Sequence, residues 1–93
     1  MSSNLPWSVL LAKEAAKQLE KLPRDRQELV RSSLREMTAD PFRGDVIALK
    51  GKEWKGRYRK RAGQYRIIFQ LNRIGHTVEV SAVVPRSEKT YRQ

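Results

Sequence analysis

Residues 57–71, Arg57-Tyr58-Arg59-Lys60-Arg61-Ala62-Gly63-Gln64-Tyr65-Arg66-Ile67-Ile68-Phe69-Gln70-Leu71, decide how this chain folds. Side chains alternate between two sides along the segment, as they do on a strand. Ala62-Gly63-Gln64 interrupts the pattern and reads as a turn, so Arg57–Arg61 and Tyr65–Leu71 form a hairpin. Tyr65, Ile67, Phe69 and Leu71 share one face and are expected to pack against helices. Arg66, Ile68 and Gln70 point the other way. Arg57, Arg59 and Arg61 lie together, opposite Tyr58 and Lys60. Three arginines are too costly to bury beneath helices, which assigns them to the open face of the sheet. Arg66 joins them from the neighbouring strand.

Downstream, Asn72 to His76 contains Gly75 and reads as a second turn. Thr77 to Val84 reads as a strand closed by Pro85, with Val78, Val80, Ala82 and Val84 as its buried set, and Arg86 follows. Upstream, residues 40–56 read as a long connection holding a short apolar piece, Val46 to Leu49. Before it, Leu29, Val30, Leu34 and Met37 make the buried side of a helix from Arg24 or Asp25 to Ala39, stopped by Asp40-Pro41. Leu11, Ala15, Leu19 and Leu22 form the apolar stripe of a first helix from Ala12 to Lys21, broken at Leu22-Pro23. Residues 5–11 read as an opening strand with Trp7, Val9 and Leu11 on one face. The order β-α-α-β-β-β predicts an α+β fold. An N-terminal strand and a helical hairpin cover one face of a mainly antiparallel sheet, and residues 1–93 make a single domain.

The charge is divided unevenly. Residues 1–42 carry seven basic and six acidic groups, whereas residues 43–93 carry thirteen basic and four acidic groups, out of a total net charge of +10. A half-domain this basic points to a polyanionic partner, with nucleic acid ahead of an acidic protein and an anionic membrane surface well behind. The chain has no cysteine, which excludes disulfides and thiolate chemistry and suits a reducing compartment. Its N-terminus, Met1 to Leu11, is too polar and short for a signal peptide or a membrane span, and a cytoplasmic protein is expected. No spacing of His, Asp or Glu suggests a metal site, and no glycine pattern suggests a nucleotide cofactor, so none is expected.

The ordered set Leu49-Lys50-Gly51, Arg57-Tyr58-Arg59, Gly63-Gln64-Tyr65-Arg66-Ile67-Ile68-Phe69, Val80 to Val84, and Arg86 to Tyr91 resembles the RelE/ParE superfamily of toxins. The upstream helix Lys13 to Leu22, the Leu-Pro break and the second helix fit the same pattern, so the resemblance spans nearly the whole chain. It implies the fold read above and one of two activities. RelE-like members are metal-independent ribonucleases that cut mRNA, usually in the ribosomal A site, whereas ParE-like members inhibit DNA gyrase. It also implies a cognate antitoxin, with which the toxin assembles into a hetero-oligomer, and, for the nuclease class, mRNA and the 70S ribosome as partners.

By that resemblance Arg57 and Arg59 match basic positions that hold the RNA backbone and assist proton transfer. Arg66 matches an arginine on the scissile phosphate, and Arg86 one that stabilises or protonates the leaving 5′-oxygen. Tyr91 resembles a C-terminal tyrosine that stacks on a base or helps activate the 2′-hydroxyl. Its spacing from Arg86 differs by about a residue from some relatives. The expected catalytic set is therefore Arg59, Arg66, Arg86 and Tyr91, with Arg57, Arg61, Lys50 and Lys52 binding substrate. Some members use a Glu/His pair instead. Here Ile47 stands near where that Glu falls and Pro85-Arg86 stands in place of the His. Arg59 occupies a position where lysine is common, and a guanidinium, titrating above about 12, is a poor base.

Metal-free RNA cleavage needs a base for the 2′-hydroxyl, stabilisation of a dianionic phosphorane and a proton for the leaving oxygen. Clustered guanidiniums meet the second need. Tyr91 meets the first if neighbouring arginines lower its pKa, and otherwise it packs or stacks. His76, the only histidine, reads as a solvated turn residue far from Arg86, and Trp7 and Trp54 read as packing residues. Three functions compete: an mRNA endonuclease, a gyrase inhibitor, and a basic nucleic-acid-binding protein without catalysis. Arg57, Arg59, Arg66 and Arg86 together favour the first.

Overall fold

The computed structural model describes residues 5–86. Its elements are β1 (Ser8–Leu11), α1 (Lys13–Glu20), α2 (Arg24–Ala39), β2 (Val46–Ala48), a single 3₁₀ turn (Lys52–Trp54), β3 (Arg57–Ala62), β4 (Tyr65–Asn72) and β5 (Thr77–Pro85). The five strands form one sheet in the order β1-β5-β4-β3-β2. β1 runs parallel to β5, and every other pair is antiparallel. Both helices cover one face, as the sequence predicts. The core joins Ala15 and Leu19 of α1 and Val30, Leu34 and Met37 of α2 to Ile67, Phe69, Val78, Val80 and Val83 of the sheet. Removing a side chain the size of Phe69 or Ile67 from water contributes about 1.5–3 kcal/mol, and both are fully buried. Among the described residues no helix is long and apolar enough to cross a membrane.

Gly63 and Gln64 form the two-residue turn between β3 and β4, whose register ends on the pair Ala62–Tyr65. Gly63 has φ of +61°. A tight hairpin needs a left-handed residue at this first central position, and glycine takes that conformation without penalty. Leu29 of α2 lies against it, so closely that a Cβ at residue 63 would collide with the Leu29 side chain. Leu29 therefore differs from its expected burial. It is 40% exposed and lies over the turn at the rim of the core.

Four further expectations are corrected. The apolar piece Val46 to Leu49 is not only a connection, since Val46–Ala48 pairs with β3 and adds a fifth strand. β1 begins at Ser8, with Trp7 held by its N–H to the Thr38 carbonyl at 2.7 Å instead of by the ladder. His76 is half-buried, with φ of +54°, and its ring stacks on Trp7 at 3.9 Å. Its Nε2 meets the Leu5 carbonyl at 2.9 Å. It clasps the start of β1 and is no free turn residue.

The fourth correction shapes the site. Ile68 pairs with Ala82, but Phe69 pairs with Val80, so Ser81 is an extra residue in a β-bulge. Past the bulge the alternation of β5 is inverted. Val83 joins the core cluster, while Ala82 and Val84 turn to the open face beside Ile68 and Arg66, where Val84 is still buried, as expected, and Ala82 only partly. α1 covers the outer edge of β5 here, where β1 has ended, and Gln18 Oε1 accepts the Val83 N–H at 2.7 Å. That satisfies a donor that the sheet edge would leave open.

Candidate functional site

The open face is organised in rows set by strand register. Nearest the Gly63 turn lie Arg61, Arg66 and Val84; next come Ile47, Arg59, Ile68 and Ala82; then Arg57, Gln70 and Glu79. Ile68 is 2% exposed although it faces away from the helices, and Trp54 of the 3₁₀ turn lines the same groove. A groove of about 570 Å³ opens there, lined by Trp54, Arg57, Ile68 and Ala82 of the sheet side and by Gln18 and Lys21 of α1. The indole Nε1 of Trp54 is buried and has no hydrogen-bond partner among the described residues.

The positive charge concentrates in the first two rows. Arg59 is 8% exposed, so its guanidinium is nearly enclosed in the face it was expected to share openly. Its Nη1 lies 3.9 Å from Asp45 Oδ1, while Arg61 Nε lies 3.4 Å from Asp45 Oδ2. At 3.9 Å the first contact is an ion pair and not a hydrogen bond. Arg66 is half-buried beside them. Its guanidinium is held below its ordinary pKa, first by burial and then by the positive charges of Arg59, Arg61 and Arg86, with Asp45 pulling the other way. Among the described residues these neighbours make a cluster of four guanidiniums and one carboxylate. Arg86 enters it because the bulge sets the phase of β5, and because its backbone N–H is fixed to the Gln64 carbonyl at 2.6 Å. Guanidiniums held this close repel one another and are best relieved by an anion with several acceptor oxygens, such as a phosphate.

The structure thus brings together Arg59, Arg61, Arg66 and Arg86 of the predicted set. Arg57 stands apart, two residues along β3 from Arg59, in the row of the Gln70–Glu79 hydrogen bond (2.8 Å) and on the wall of the groove. Lys50 and Lys52 are exposed on the connection between β2 and β3 and are not among the charges that act on Arg66. Tyr91 lies outside the described residues. Lys60, on the opposite face, is 2% exposed and serves the fold, with its Nζ 3.2 Å from Glu36 Oε1 and 2.6 Å from the Arg43 carbonyl. Sequence reasoning missed Asp45 and Gln18. Asp45 is one of only four acids in the basic half and directly precedes the apolar Val46, which was the available signal. For Gln18 there was none, since its partner is a backbone amide 65 residues away.

This architecture recurs in solved structures. The RelBE2 toxin-antitoxin complex of Mycobacterium tuberculosis contains a chain 26% identical, with a TM-score of 0.78 over 87% of this chain and 99% of that one. In the RelE-RelB complex of the archaeon Pyrococcus horikoshii the identity is 25% and the TM-score 0.74, over 89% of this chain and 98% of that one. The isolated RelE toxin of Escherichia coli shares the fold at 20% identity and a TM-score of 0.70, covering 90% of this chain and 88% of that one. A comparison of the sequence with curated proteins finds no match. The fold is therefore that of the small RelE-like toxins. Residues 9–90 match the family described as the ParE toxin of type II toxin-antitoxin systems, parDE, and the chain belongs to that family, within the RelE/ParE superfamily.

Proposed function

We propose that this toxin is a metal-independent endoribonuclease that cuts mRNA, in the A site of the 70S ribosome, leaving a 2′,3′-cyclic phosphate and a 5′-hydroxyl. The observation that carries the reading is the convergence of Arg59, Arg61, Arg66 and Arg86 on one patch of the open face. Guanidiniums gathered around one phosphate can stabilise the charge of a phosphorane without a metal ion. In this reading Arg66 binds the scissile phosphate, Arg86 stands at the leaving oxygen, and Arg59 and Arg61 complete the anion cradle. Arg57, Lys50 and Lys52 extend it along the RNA backbone, and Tyr91 stacks on a base.

The whole chain, 1–93, acts as one domain in the cytoplasm. Its second partner is an antitoxin, as in the two toxin-antitoxin complexes that it resembles. An acidic antitoxin segment complements the basic half of the chain and forms a hetero-oligomer with it.

The test is induced expression followed by mapping of 5′ ends on translated mRNA. New ends within codons, together with growth arrest relieved by a co-expressed neighbouring antitoxin, support the proposal. Growth arrest with intact mRNA refutes it. The match to the ParE family keeps one second reading in view, inhibition of DNA gyrase. In that case purified gyrase loses supercoiling activity in the presence of the protein and mRNA stays whole.

A further inference from the structure

Metal-free cleavage of RNA needs a group that takes the 2′-hydroxyl proton, and guanidiniums do this poorly because they stay protonated. Among the described residues, one carboxylate of the open face stands where Arg59 and Arg61 meet. Asp45 immediately precedes β2, its backbone carbonyl accepts the Arg61 N–H at 3.0 Å, and its carboxylate reaches both Arg59 (3.9 Å) and Arg61 (3.4 Å). Among the described residues it is the acidic group that acts on Arg66. Among the described residues, Arg59 and Arg61 of β3 face it directly, and Arg66 of β4 interacts with it electrostatically. Lys60, on the same strand, points to the helices and is held by Glu36.

The carboxylate remains about half exposed. A residue kept only to neutralise arginines has no need of that access. Here it leaves room for a ribose beside an acceptor oxygen while Arg59 and Arg61 fix the carboxylate in place.

We propose that Asp45 is the general base of the cleavage, a role that rests on the nuclease reading above. Asp45 takes the 2′-hydroxyl proton on a carboxylate oxygen, and the 2′-oxygen forms a bond to phosphorus. The bond from phosphorus to the 5′-oxygen then breaks, and that oxygen leaves beside Arg86 and takes a proton from water. Asp45 later returns its proton to solvent, so the enzyme ends unchanged.

Asp45→Asn separates this from a purely electrostatic role, because the two predict opposite signs. Asparagine removes a negative charge from beside a phosphorane that is itself a dianion. If Asp45 only tempers the arginines, the variant binds RNA as well or better and cuts as fast or faster. If Asp45 is the base, binding is kept or improved and the cleavage rate falls on the order of 10²–10⁴-fold. The measurement is single-turnover cleavage of mRNA on programmed 70S ribosomes, with RNA affinity measured in parallel and folding checked by circular dichroism.

Asp45→Glu keeps the carboxylate and recovers part of the rate. An Asp45→Asn protein that is folded and cuts at the wild-type rate overturns the assignment and leaves the nuclease reading standing. A wild-type protein that cuts no RNA overturns both. Should Asp45→Asn fail to fold, an inactive Asp45→Ser with a wild-type melting profile supports the assignment, and an active one overturns it.

Discussion

Gln18 of α1 and Val83 of β5 are joined by a hydrogen bond of 2.7 Å, through which the first helix holds the strand that ends at Arg86. The bond falls two residues past the bulge, where β5 has no neighbouring strand on that side. Gln18→Leu leaves the Val83 N–H without an acceptor and is expected to cost about 1–3 kcal/mol. Gln18→Glu keeps an acceptor oxygen and is expected to cost less. Urea denaturation ranks the two, and cleavage should fall further for Leu than for Glu, because the bond steadies the strand leading to Arg86.

Arg66→Ala and Arg86→Ala are expected to stay folded, shifting stability by no more than about 1 kcal/mol, since neither belongs to the core cluster. Each should lose about 10²-fold or more in cleavage, the usual effect of removing a group that meets developing charge. His76→Ala should behave in the opposite way, losing stability with its Trp7 stack while keeping cleavage. Melting temperatures and cleavage rates for the three variants check this. Arginine variants that are folded and fully active would remove Arg66 and Arg86 from the site.

Lys60 offers a control from the other face. Lys60→Met leaves the Arg43 carbonyl without its donor and should cost about 1–2 kcal/mol, while Lys60→Ala adds a cavity and should cost about 1 kcal/mol more. Neither should alter cleavage per folded molecule. A rate lost in proportion to stability would mean that the two faces are coupled.

Gly63→Ala meets two penalties, a left-handed backbone and the Leu29 side chain. Together they should cost about 1–3 kcal/mol. Adding Leu29→Ala should recover the collision and leave the backbone strain, so the two substitutions should be non-additive in a thermal double-mutant cycle. Strict additivity would show that Leu29 moves aside freely.

Salt should act with opposite sign on the free protein and on its complex. Screening relieves repulsion among Arg59, Arg61, Arg66 and Arg86, so the melting temperature of the free protein should rise, and inorganic phosphate should raise it more than chloride at equal ionic strength. RNA affinity should instead fall by on the order of tenfold or more between low and physiological salt, as released counterions no longer drive binding. Scanning calorimetry and filter binding over a salt series measure both.

The hairpin of β3 and β4 was legible from alternation alone, and so was the burial of Ile67 and Phe69, because a strand whose two faces differ in polarity states its own orientation. The helices were legible from their stripes, and Arg24–Ala39 was found at both ends. What escaped depends on partners distant in sequence. The three residues of β2 are too few to display a period, and only their pairing with β3 makes them a strand. Nothing in Ser81-Ala82-Val83-Val84 marks an extra residue, so β5 was read in one phase throughout. The enclosure of Arg59 was hidden because an argument from desolvation cost allows for no carboxylate such as Asp45 arriving from another segment. Of the expected site, the arginines on β3 and β4 followed from parity, whereas Arg86 reached them by way of a bulge that parity could not foresee.

That bulge makes column-by-column alignment misleading for chains of this kind. Arg86 stands six residues after Val80, an even separation that in a regular strand would place both side chains under the helices. The extra residue at Ser81 spends one of those six without advancing along the neighbouring strand, and so delivers the arginine to the opposite side. A relative with a regular last strand needs its arginine one position earlier to occupy the same point in space. Such homologues correspond by side of sheet, and a gap at Ser81 is part of the correct alignment.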